Sequence, residues 1–138
     1  MKWRTDPDAE AVLKELGIPF TVRNVKASDI NVKASVSNRA RPVALHREVA
    51  AEYASAMKAG DVFPMPVTAV VAGMKKMAMA GGNHRYEAHV GINKHSSFDA
   101  YVVEVDEIQF ESLCPQLNTR LGIRESDSVR IALAADQV

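Results

Sequence analysis

The sequence holds a single cysteine, Cys114, in 138 residues. That excludes a disulfide framework and fits a reducing, cytoplasmic setting. The apolar Ser-Leu-Cys-Pro context marks this thiol as packed rather than nucleophilic. No apolar run approaches the roughly 18 residues of a membrane span, and the opening MKWRTDPDAE lacks the apolar stretch of a secretory leader. Net charge is missing as well: 17 basic residues balance 17 acidic ones. A domain that lives on DNA phosphate contacts is usually more basic. Internal repeats, low-complexity tracts and Ser/Gly linkers are absent. The histidines show no metal-ligand spacing: His84 and His89 fall on different faces of a helix, and His46, His89 and His95 read as cap, surface and loop residues.

What remains is an apolar fraction of 47% and a charged fraction of 25%, the balance of one soluble globular domain able to bury a single core. DPDAEAVLKELG predicts a short helix, with Asp6 as its cap, Pro7 in its first turn and Gly17 at its end. FTVRNVKASDINV reads as extended, alternating around Val22, Val25 and Ile30, and SVSNRARPV reads as loop. ALHREVAAEYASAMKAG is the clearest helix: Leu45, Val49, Tyr53 and Met57 recur on one face with Ala50 and Ala54, and Gly60 stops it. VTAVVA and KMAMA flank Gly73 as a β-hairpin. HRYEAHVG follows as a short helix, FDAYVVEV as a strand, and two helices close the chain. The expected fold class is therefore mixed α/β (α+β), a small mixed sheet with helices packed on it.

One joint concentrates polar groups. In AMAGGNHRYEAHVG a strand ends on Gly81-Gly82, and Asn83, His84 and Arg85 open the next helix. Paired glycines let backbone turn tightly and approach a ligand. Asn83 is a natural N-cap, and a helix start presents free N–H groups and the positive end of its dipole. An anion there gains those donors. Arg85 would add a guanidinium fork and His84 its ring N–H groups. An arginine at a helix start carries little core packing, so Arg85→Ala is expected to weaken binding and spare the fold. Glu87 reads as solvated. From Arg23 to Arg47, the residues Arg23, Lys26, Lys33, Arg39, Arg41 and Arg47 face only Asp29, a solvated face or a local basic patch.

These elements in this order resemble the ParB/sulfiredoxin-like superfamily, and the N-terminal nucleotide-binding domain of ParB in particular. The resemblance runs from about Val22 to Ala132. It is carried by Gly82-Asn83-His84-Arg85 with Ala88, by the SNRAR stretch, and by LNTR near the end. It implies a nucleotide triphosphate ligand, CTP first, with Mg2+. Gly81, Gly82, Asn83, His84 and Arg85 would hold phosphates, Asn38, Arg39 and Arg41 would close over them, and Asn118 and Arg120 would finish the site, Asn118 on the metal. Residues 1–21 form an N-terminal helical extension, 22–106 the nucleotide-binding domain, and 107–138 the C-terminal helices. The last helix pattern stops at Val138 without a cap. The chain is therefore expected to lead into a DNA-binding region beyond it, with nucleotide-dependent homodimerisation.

The departures from the family pattern matter for chemistry. Sulfiredoxins carry a catalytic cysteine where this chain has Asn83, and a carboxamide is no thiolate, so sulfiredoxin activity is not expected. Leu117 stands where ParB proteins have a glutamate, which points to binding with slow or no hydrolysis. The rival reading is an enzyme on the same scaffold, a nucleotide-dependent small-molecule kinase or a nuclease. It needs a carboxylate base, and Glu48, Glu52, Asp61 and Glu87 are available without one standing out. A third reading is a protein-contact domain with a degenerate site.

Overall fold

A computed structural model describes residues 2–31 and 47–117. In chain order these form β1 (Trp3–Arg4), α1 (Pro7–Glu15), β2 (Phe20–Lys26), a tight 3-10 turn (Ala27–Asp29), α2 (Arg47–Lys58), β3 (Phe63–Pro64), β4 (Val67–Val71) and β5 (Ala78–Gly81). Then come α3, which starts at Asn83–Tyr86 and widens over Glu87–Ile92, β6 (Ser97–Val105), and α4 over residues 107–117. The class is mixed α/β, as the sequence led us to expect. Among the described residues no helix is long and apolar enough to cross a membrane.

Four strands make the main sheet in the order β2-β6-β4-β5. β6 runs antiparallel to β2, from Phe20 opposite Val103 to Lys26 opposite Ser97, and parallel to β4. β4 and β5 form the expected hairpin, and Gly73 takes a φ of 88° in its turn. β1 and β3 add a two-stranded parallel ribbon.

β6 lies between β2 and β4 and buries side chains on both of its faces. Its period of two sends Tyr101, Val103 and Val105 to one face and Phe98, Ala100 and Val102 to the other. On the first face lie α1, through Ala9, Val12 and Leu13, and α4, through Phe110, Leu113, Cys114 and Leu117. Cys114 is buried, a packed thiol as expected. On the second face Tyr86 of α3 meets Met79 and Phe98. α2 covers α3 from outside, its Ala54 and Met57 against Ala88. The layers therefore run α1 and α4, sheet, α3, α2.

Residues 1–21 carry α1, which buries its apolar face in the main core, and β1, which pairs with β3. The N-terminal segment helps to close the domain. Val22 is 53% exposed on β2, which pairs with β6 alone among the described strands, and only Val25 of that strand is buried. His89, read as a surface residue, is 3% exposed between α3 and its neighbours.

Candidate functional site

Gly82 makes the turn from β5 into α3. Its φ of 89° and ψ of 32° are left-handed, and it serves as the N-cap with no side-chain hydrogen bond. Asn83, expected to be the cap, is instead the first helical residue. The reason is steric: the chain must reverse within one residue, and glycine takes that conformation without strain. Space is also closed there. A Cβ on Gly82 would lie 2.6 Å from Pro66 Cβ and 3.0 Å from Arg85 Nη2, and one on Gly81 would lie 3.3 Å from Leu117 Cδ1. The first intrahelical bond, from Tyr86 N to Gly82 O at 2.9 Å, closes the turn. Helix geometry gives the N–H groups ahead of it no acceptor of their own.

The three polar side chains of this turn go to different places. Asn83 is 9% exposed, and its Nδ2 has no hydrogen-bond partner among the described residues. His84 is 1% exposed, with the Tyr53 ring edge-on at 6.5 Å between centroids. Arg85 is 4% exposed and points inward. Its Nη1 donates to Pro64 O at 2.7 Å and to Met65 O at 3.3 Å, and lies 4.0 Å from Asp6 Oδ2. Buried carbonyls between β3 and β4 require donors, and the guanidinium supplies them. The expectation that Arg85 carries little packing is thereby overturned.

Sequence reasoning gave Asp6 only a capping role. That role is real: its Oδ1 accepts from Asp8 N at 3.1 Å and Ala9 N at 3.3 Å. Asp6 also donates its backbone N–H to Tyr101 Oη at 2.7 Å, and Tyr101 donates its hydroxyl proton to Glu10 Oε2 at 2.6 Å. Burial first, then the neighbouring carboxylates, push the Tyr101 hydroxyl up to about 12. A polar chain thus runs beneath the turn from Glu10 through Tyr101 and Asp6 to Arg85. A buried acid far along the chain from its arginine leaves no local signal in sequence.

Further along α3 the helix loosens. Asn93 N donates to Ala88 O, five residues back, at 3.0 Å. His89 Nε2 lies 2.8 Å from Ser97 O. A carbonyl only accepts, so Nε2 carries the proton and Nδ1 is a bare acceptor. The His95 ring stacks on His89 at 4.3 Å, and Trp3 meets it edge-on at 5.1 Å. Burial holds the His89 pKa below the usual value, with His95 and the N-terminal amine adding to the effect and the bond to Ser97 opposing it. His95 is exposed in its loop, as expected. Glu87, read as solvated, is half-buried, its carboxylate lying over Gly91 on the same helix.

Of the residues expected to form the site, Gly81, Gly82, Asn83, His84 and Arg85 meet at this turn. Asn38, Arg39, Arg41, Asn118 and Arg120 lie outside the described residues, as do Leu45 and His46. Leu117, at the end of α4, is buried against Gly81. Among the described residues no three His, Cys, Asp or Glu side chains group as metal ligands. The turn can therefore offer amide and backbone donors to an acceptor. Compared with models of known protein families and with curated proteins, the chain matches none.

Proposed function

We propose that the chain is a ParB-like nucleotide-binding module of a DNA-associated partition or regulatory protein, cytoplasmic, with the β5–α3 turn taking the phosphates of CTP or a related nucleotide. The observation that carries this reading is Asn83. A buried amide donor left without an acceptor costs about 1–3 kcal/mol, and Asn83 Nδ2 has none among the described residues. A phosphate oxygen over the first turn of α3 would accept from it and from the neighbouring backbone N–H groups. The glycines answer to the fold, since side chains at Gly81 and Gly82 would meet Leu117 and Pro66.

Arg85 enters this reading in a changed role, as a charge in the wall behind the turn and not as a fork on the ligand. Asn38, Arg39, Arg41, Asn118 and Arg120 complete the site as the resemblance implies. The described residues fit Mg2+ less well: Leu117 offers no oxygen, and no carboxylates gather at the turn. Mg2+ would arrive with the triphosphate, and no hydrolytic step is assigned to it. DNA would be engaged through chain beyond residue 138, with nucleotide favouring a homodimer.

Calorimetric titration with CTP, ATP, ADP and GTP, with and without Mg2+, tests the proposal on wild type and Asn83→Ala. CTP should bind the wild type, and the variant should lose about tenfold in affinity, the value of one such hydrogen bond, while keeping its fold. No nucleotide binding by the wild type, or equal binding by both proteins, would sink it.

A further inference from the structure

Arg85 touches two things at once. One side of its guanidinium backs onto Gly82, where a Cβ would sit 3.0 Å from Nη2 and 3.1 Å from Cζ. Its Nη1 lies 4.0 Å from Asp6 Oδ2, and both side chains are buried. Opposite charges this close, away from water, largely cancel one another's field beyond the pair. Among the described residues the cation at the turn is therefore matched by an internal anion, and a ligand phosphate at the turn meets Asp6's charge along with that of Arg85.

We propose that Asp6 is the residue that sets how strongly this turn holds anions. Its carboxylate competes with ligand phosphate for the charge of Arg85, so the turn's own described residues offer the ligand chiefly neutral donors. Losing that one negative charge exposes the arginine's field to the ligand. Arg85 itself stays in place, because Pro64 O and Met65 O still hold Nη1. The inference rests on reading the β5–α3 turn as a phosphate site.

Asp6→Asn separates charge from capping. Asparagine caps a helix as well as aspartate does, and keeps an oxygen for Asp8 N and Ala9 N. The full chain and this variant are titrated with inorganic triphosphate and with CTP, each at low and physiological ionic strength. The variant should bind triphosphate about tenfold more tightly, or better, as one removed unit charge near the site predicts. Its affinity should also fall more steeply with salt, and its melting temperature should rise further on adding triphosphate. A purely capping Asp6 predicts equal affinities, and that result, or weaker binding, overturns the proposal. If the variant is unfolded alone, triphosphate must restore a cooperative melt; failure to do so overturns it equally. Asn83→Ala keeps the two readings apart. Should it bind like wild type while Asp6→Asn gains affinity, Asn83 is not the donor that holds the anion, and the Asp6 inference stands. If wild type binds and Asp6→Asn gains nothing, the reverse holds.

Discussion

At the scale of the residue, Arg85 shows how a side chain selected for one chemistry can be occupied by another. Its guanidinium satisfies two buried carbonyls and faces a buried carboxylate. Removing it strips those carbonyls of their donor and leaves Asp6 beside an empty space. Breaking a buried pair from one side costs about 3–5 kcal/mol, a large part of the 5–15 kcal/mol typical of a whole domain. Arg85→Ala should therefore lower the urea midpoint sharply, whether or not nucleotide is present. A variant as stable as wild type in urea would show that the inward pose is not what holds β3 and β4 to α3. The triplet Asn83-His84-Arg85 was legible in sequence as donors at a strand–helix joint. Which way Arg85 points was not, because Asp6, Pro64 and Met65 reach it only through the fold. The same holds for the cap, where the shift from Asn83 to Gly82 depends on how closely Pro66 approaches.

At the scale of the element, periodicity carried most of the information and failed where elements are short or irregular. α2 repeats its apolar residues over three turns, and Val49, Ala50, Ala54 and Met57 are buried as that pattern requires. The hairpin and β6 follow from apolar runs flanking a glycine turn. β1 and β3 hold two residues each, too few to show any period. The widening of α3 is set by Asn93 bonding back to Ala88, a choice made by packing on α2, where Asn93 Nδ2 donates to Ala54 O at 3.1 Å. On the same helix His89 is buried with Trp3 and His95 against its ring. Because its folded pKa lies below the ordinary value of 6.5, the unfolded chain binds the proton more readily. The His89 contribution to stability is thus complete above about pH 6.5 and is lost as pH falls through that value and below it. Unfolding free energy from urea titrations should drop between about pH 7 and pH 5, and His89→Gln should flatten that drop. An unchanged slope in the variant would assign the acid sensitivity to other groups.

At the scale of the molecule, composition bounds partners more firmly than it bounds fold. The resemblance begins near Val22, yet Ala9, Val12, Leu13 and Ile18, ahead of it, lie in the same core as β4, β6 and α4. A core contact made across the whole chain has no local signature. Charge is different, since it sums over the chain whatever the fold. With 17 basic and 17 acidic residues, the molecule has little net attraction for a polyanion, and counterion release scales with the phosphates actually neutralised. Of the basic stretch from Arg23 to Arg47, Arg23, Lys26 and Arg47 are exposed on β2 and α2, while Arg39 and Arg41 are assigned to the nucleotide in the reading above. Arg85, at the turn itself, is matched by Asp6. Other exposed cations, Lys14, Lys58, Lys75, Lys76 and Lys94 among them, are scattered along the chain and balanced by as many acids. These 138 residues should therefore show no sequence-specific DNA binding, and non-specific binding no tighter than roughly 10⁻⁴–10⁻⁶ M at physiological salt. Gel-shift titrations of a specific-site library and of random duplex, repeated over a range of salt, measure both quantities. A shallow salt slope with weak binding fits a nucleotide module whose DNA contacts lie elsewhere. Tight, site-selective retardation would place the DNA-reading surface within these residues and would make nucleotide the secondary ligand.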